Sequence, residues 1–102
     1  MTRVAIACTL SAGDATARVA EWQGFLERDV AEIVRTPGSA RLRLEARDDA
    51  VLRATDLARR EKGCCAFFDF RLVLLPDAVW LEVDAPDQAA PILDELLDIP
   101  TA

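Results

Sequence analysis

Histidine is absent from the 102-residue chain. That absence excludes Ser-His-Asp and Cys-His catalysis, and zinc sites built on imidazole. Glycine is sparse, and the four present (Gly13, Gly24, Gly38 and Gly63) are scattered, so no glycine-rich phosphate loop exists. No apolar run approaches the roughly 20 residues that cross a bilayer. Residues 1–10 hold one arginine and a brief apolar stretch that runs straight into a capping sequence, which is not the pattern of a signal peptide. These readings place the protein in the cytoplasm with no membrane partner. There its three cysteines stay reduced, and an odd count argues against a fully paired disulfide framework.

What is present is the composition of one ordinary soluble domain over residues 1–102. Hydrophobic residues make up 52% and charged residues 29%, enough for a single core and too polar for a fibrous repeat. The formal charge is −6, unevenly spread. Residues 76–102 carry seven acidic side chains and no basic one, whereas residues 35–62 carry eight basic against five acidic. A nucleic-acid surface concentrates positive charge on one face. Here carboxylates dilute it, so the stretch reads as a solvated surface and no nucleic-acid partner is expected of this chain by itself.

Along the chain, residues 3–10 alternate, with Val4, Ile6, Cys8 and Leu10 on one side and small residues on the other, as in a strand covered on both faces. Ser11 with Asp14 forms a capping box for a helix whose apolar face is Val19, Trp22, Leu26, Val30 and Ile33. Thr36-Pro37-Gly38 stops that helix. Ala40, Leu42, Leu44 and Ala46 alternate with Arg41, Arg43 and Glu45 as a half-buried strand. Asp48 or Asp49 caps a second helix that leads to Glu61-Lys62-Gly63-Cys64-Cys65. Residues 70–75 and 79–81 make a hairpin about Pro76-Asp77-Ala78, and Asp87 caps a last helix with Pro91 in its first turn. The expected fold is an α+β two-layer sandwich in the order β-α-β-α-β-β-α, with helices on one face of a four-stranded, mainly antiparallel sheet. Trp22, Leu26, Leu42, Leu44, Leu57, Phe70, Leu72, Val79 and Leu81 are its expected core. Trp80 falls on the opposite strand face, either in a homodimer contact or under the stems of neighbouring arginines.

The segment that carries chemistry is Glu61-Lys62-Gly63-Cys64-Cys65-Ala66-Phe67-Phe68-Asp69-Phe70. Glu61 precedes the adjacent thiols by one helical turn, so Leu57, Glu61 and the cysteines share a face if the helix persists through Gly63. Cys8 lies on a strand face that a helix would cover, so an approach to Cys64 or Cys65 is sterically open. Thiolates without histidine favour cuprous, zinc, mercuric or arsenous ions over hard cations, and two- or three-coordinate ions suit adjacent cysteines better than tetrahedral zinc. Buried cysteines also serve as small hydrophobes, and Glu61 also reads as a solvated residue pairing with nearby arginines. Phe67, Phe68 and Phe70 read as core.

Cys8-Thr9-Leu10, Glu61 with Cys64-Cys65, Phe67, Phe70 and Ala85-Pro86 give the chain a resemblance to a group of small actinobacterial proteins. Their pattern is an early Cys-Thr-Leu, then Glu-x-x-Cys-Cys-Pro-Phe-x-x-Phe and a hairpin ending in Ala-Pro. A similar Cys-Cys segment is appended to some MerR-type regulators. Ala66 stands where proline is usual, and this chain has no helix-turn-helix region. The resemblance implies soft-metal or metalloid ligation by Cys8, Cys64 and Cys65, with Glu61 as a supporting group or proton donor or acceptor.

The expectation is therefore a small cytoplasmic protein that sequesters or senses a thiophilic metal or metalloid ion, with no organic cofactor. Two alternatives stand beside it. One is a thiol-dependent enzyme, cleaving an organometal bond or exchanging disulfides with Glu61 assisting. The other is a non-catalytic interaction domain.

Overall fold

The computed structural model of the chain describes residues 12–64 and 67–97, with side chains for 17–63, 67–94, 96 and 97. The strand expected over residues 3–10 and the cap at Ser11 lie outside the described residues. Within them the order is α1 (Ala12–Asp29), β1 (Val30–Thr36), β2 (Ser39–Leu44), α2 (Asp48–Cys64), β3 (Asp69–Leu75), β4 (Ala78–Asp84) and α3 (Ala90–Leu96), which a single 3-10 turn over Asp87–Ala89 precedes. The four strands form one antiparallel sheet in the order β1-β2-β4-β3. An α+β sandwich is what the sequence led us to expect. One member of its sheet is not.

The spacing of Val30 and Ile33 predicts that both belong to the first helix, yet both lie in β1. In a regular strand, residues three apart point to opposite faces. A bulge at Ala31 removes that rule: Val30 pairs with Leu44, Glu32 with Arg43 and Ile33 with Leu42, so Val30 and Ile33 share the helix-covered face. A bulged strand thus imitates a helical period. Its residue types (Val30, Ile33, Val34 and Thr36) favour extended backbone. The supposed helix stop Thr36-Pro37-Gly38 is a hairpin turn instead, with Thr36 opposite Ser39 and Gly38 at φ 76°. The Gly38 carbonyl accepts from the Ala85 amide at 2.8 Å, which ties this turn to the end of β4.

The helix-facing side of the sheet is the core: Ala40, Leu42, Leu44, Leu81 and Val83 pack under Trp22, Phe25 and Leu26 of α1, Ala54 and Leu57 of α2, and Leu93, Leu96 and Leu97. Of the expected core, Phe70 and Val79 are half-buried, and Leu72 is 39% exposed. Leu72 sits on β3, at the margin of the described sheet, where helix cover runs out. Asp87 is the first residue of the 3-10 turn and provides no side-chain cap; Pro86 precedes it with extended backbone.

The other sheet face is a lattice of ion pairs. Glu82 accepts from Arg41 at 3.2 Å and Arg71 at 3.1 Å, Arg71 also reaches Asp84, and Arg43 reaches Glu32 at 3.0 Å. Trp80 lies half-buried there with the Arg41 guanidinium 4.5 Å above its ring centroid, the arrangement under arginine stems. No helix of the described residues is long and apolar enough to cross a membrane.

Leu42, fully buried between both helices and the neighbouring strands, is a direct test of this packing. Leu42→Ala should lower unfolding free energy by about 2–5 kcal/mol, measured by urea titration. A loss below about 1 kcal/mol would contradict the core assignment.

Candidate functional site

Three contacts set the two long helices against each other. Arg18 of α1 reaches Glu61 of α2 at 3.1 Å, Glu21 holds Arg60 by two bonds of 2.7 and 3.1 Å, and Asp29 holds Arg53 at 2.6 and 2.9 Å. Positions rise along α1 as they fall along α2, so the helices run antiparallel. The start of α1 therefore lies at the same end of the pair as the finish of α2, where the cysteine segment begins.

The α2 helix runs through Gly63 and ends at Cys64, so Glu61 and Cys64 are one turn apart on one helix. Glu61 is not a solvated residue. It is 3% exposed, and its Oε1 accepts from the Trp22 indole Nε1 at 3.0 Å and from Arg18 Nη1 at 3.1 Å. A carboxylate out of water is costly unless paired and hydrogen-bonded, and α1 supplies both partners. Arg18 is itself mostly covered, and Glu21 stands 3.6 Å from its Nε. The Trp22 ring stacks on Phe70 of β3 at 6.2 Å and meets Phe25 edge-on at 5.7 Å. Phe68 packs against Phe67 at 4.8 Å and Phe70 at 6.0 Å. The three phenylalanines are thus packed on the core, as expected. Through Trp22, whose indole bonds Glu61, this aromatic cluster adjoins the buried carboxylate.

Of the sequence-derived site residues, the structure describes Glu61 in full and Cys64 as the last residue of α2, without its side chain. Cys8 and Cys65 lie outside the described residues. Among the described residues no group of three or more His, Cys, Asp or Glu side chains is arranged to hold a metal. Arg18 and Trp22 were missed from the sequence as partners of Glu61. Their separation of 43 and 39 positions from it leaves no local signal.

A second buried carboxylate also escaped the sequence. Asp29, at the last position of α1, is wholly buried; Arg53 binds it through two nitrogens, and Arg47 stands 3.3 Å away. Arg47 also donates to the Arg28 carbonyl at 2.7 Å, and the Glu45 amide to the Asp29 carbonyl at 2.8 Å. Arg47 therefore takes part in this joint while its side chain stays as open to solvent as those of Arg41 and Arg43. Hydrogen bonds from Arg53 hold the Asp29 carboxyl below its ordinary range against the opposing effect of burial, with the charges of Arg53, Arg28 and Arg47 adding to the lowering. This joint sits at the opposite end of the helix pair from Cys64.

No family model matches the chain, and neither a curated protein nor a solved structure does.

The two joints differ in how they can be tested. The folded Asp29 carboxyl titrates below its unfolded value of 3.8, so its stabilising contribution stands in full above that pH and is lost as pH falls through the folded pKa. Asp29→Asn should be less stable than the parent at pH 7 in urea unfolding, and the gap should narrow towards pH 3. A gap that stays constant with pH would show that the Arg53 pair is not what Asp29 contributes.

Proposed function

We propose that this is a small cytoplasmic protein that binds a thiophilic metal or metalloid ion through the thiolates of Cys64 and Cys65, with Cys8 as third ligand. The observation that carries this reading is the antiparallel clasp of α1 and α2. Ala12 lies about 9 Å of helix beyond Arg18, and Cys64 about 4.5 Å beyond Glu61, at the same end of the pair. Cys8 precedes Ala12 by four residues, a reach of at most about 14 Å. Cys8 therefore has the reach to meet the other two thiols, as the resemblance to the Cys-Thr-Leu and Glu-x-x-Cys-Cys proteins implies.

The chemistry of the surroundings agrees. Mercuric, arsenous and cuprous ions bind sulfur in two- or three-coordinate sites and need no histidine. The aromatic cluster of Trp22, Phe68 and Phe70 adjoins Glu61, one turn before Cys64, and a low dielectric strengthens thiolate–metal attraction once the thiol protons have been displaced. Glu61 accepts hydrogen bonds from a guanidinium and an indole, and that acceptor role suits orientation and charge balance rather than delivery of a proton to carbon. Binding is thus favoured over organometal cleavage. Sequestration and sensing share this chemistry.

The test uses reduced protein titrated with mercuric or arsenous ion, followed by thiolate-to-metal charge-transfer absorption and native mass spectrometry. One equivalent should bind. Cys64→Ser or Cys65→Ser should abolish binding, and Cys8→Ser should weaken it. In a Trp80→Phe background the remaining Trp22 emission should be quenched as the ion binds, because Trp22 is bonded to the residue one turn before Cys64. Undiminished uptake by Cys64→Ser and Cys65→Ser, or no uptake by the parent, would overturn the reading.

A further inference from the structure

The two margins of the described sheet are built differently. β1 carries the bulge at Ala31 and the charged Glu32 and Arg35, and Arg35 reaches Asp94 and the Leu97 carbonyl. Bulges and charges of this kind keep an edge strand from pairing with another chain. β3 lacks them along its second half. It pairs with β4 without a break, from Asp69 opposite Asp84 to Leu75 opposite Ala78, and after Arg71 it holds only aliphatic residues. Phe70, Leu72 and Leu74 lie opposite Val83, Leu81 and Val79, on the helix-facing side. Cover fails along this row: Phe70 is half-buried against Trp22, whereas Leu74 is 69% exposed. Among the described residues no strand lies beyond β3. An unbroken edge with one bare apolar face is a template for a further strand.

We infer that β3 docks against β3 of a second copy of this chain, in an antiparallel pair that joins two sheets across a two-fold axis. The strand is self-complementary in this arrangement. With Leu72 on the axis, Phe70 of each copy lies opposite Leu74 of the other, and Leu72 opposite Leu72, all on the helix-facing side. Apolar cross-strand pairs stabilise a sheet, and these cover the leucines that α2 leaves bare. A slip of one residue instead sets Leu72 against Val73 and turns the two helical layers to opposite sides of the joint sheet. On the other face Arg71 of each copy nears the axis, where Glu82 and Asp84 already neutralise it. The strand ends match in charge as well. At the turn, Asp48 and Asp77 line one cavity with Leu75 and Pro76. At the other end Lys62 donates to the Phe68 carbonyl at 2.8 Å, with exposed Arg59 three residues before it and Asp56 and Asp69 beside the two cations. Antiparallel pairing sets the acidic turn of each copy against the end of the other that carries Lys62 and Arg59. The inference is independent of the metal-binding reading.

Reduced, metal-free protein is followed by sedimentation velocity from micromolar to millimolar concentration. The parent should form a dimer. Leu74→Lys, at a position open to solvent in the single chain, should keep the far-ultraviolet circular dichroism and raise the dimer dissociation constant about a hundredfold. Val34→Lys, on the β1 margin, should leave that constant unchanged. In a mixture of carbon-13-labelled and unlabelled parent, isotope-filtered NOEs should join the Phe70 ring to the Leu74 methyls across copies. That measurement needs no variant, so it stands even if Leu74→Lys does not fold. A parent that stays monomeric throughout overturns the inference, including one whose own residues 1–11 give the NOEs to Leu74. A dimer that lacks the Phe70–Leu74 NOEs, or that Leu74→Lys leaves intact, overturns it equally.

Discussion

Two carboxylates removed from water hold the helical layer together. Glu61 at one end of the α1–α2 pair and Asp29 at the other are each buried on one helix and neutralised by an arginine from its partner. An uncompensated buried charge costs several kcal/mol, so neither helix can slide or rotate without exposing that cost. Apolar side chains such as Leu26 and Leu57 would tolerate a shifted register, because hydrophobic contact has no direction. Bonds from Arg53 to both oxygens of Asp29 do not. Register between the helices is thus an electrostatic property laid over a hydrophobic core.

That register determines which ends of the chain meet. With α1 and α2 antiparallel and clasped near Glu61, the start of α1 and the end of α2 lie at the same end of the pair. The same clasp brings an indole, a guanidinium and a cluster of phenylalanines to this end, so the carboxylate there is enclosed rather than hydrated. The opposite end differs in kind: Asp29, Arg53 and Arg47 join a helix terminus to a loop and a helix start. One fold therefore presents two buried carboxylates in two settings. Only one of them lies one helical turn before Cys64.

The open face of the sheet follows a separate logic. Arg41, Arg43 and Arg71 alternate with Glu32, Glu82 and Asp84 across all four strands, and each cation has an anion within hydrogen-bonding distance. Such a lattice cancels its own field, in keeping with the diluted charge read from the sequence. Trp80 is accommodated in it under the guanidinium of Arg41, half-buried.

Local pattern alone determined much of this protein. The alternation of Ala40, Leu42 and Leu44, the hairpin about Pro76-Asp77, the long helix ending at the cysteines and the aromatic core were all legible, because each depends on residues close together in the chain. The first strand was not, since a single bulge at Ala31 gave Val30 and Ile33 a helical spacing. Only pairing with Leu44 and Leu42 of the next strand distinguishes the two. Glu61 and Asp29 were opaque for a different reason. Flanked by Arg60 and Lys62, or preceded by Arg28, each reads as a solvated surface charge. Their burial was decided by a second helix roughly 20 to 40 positions away, because the desolvation of a charge is settled by what packs over it and not by its neighbours in sequence.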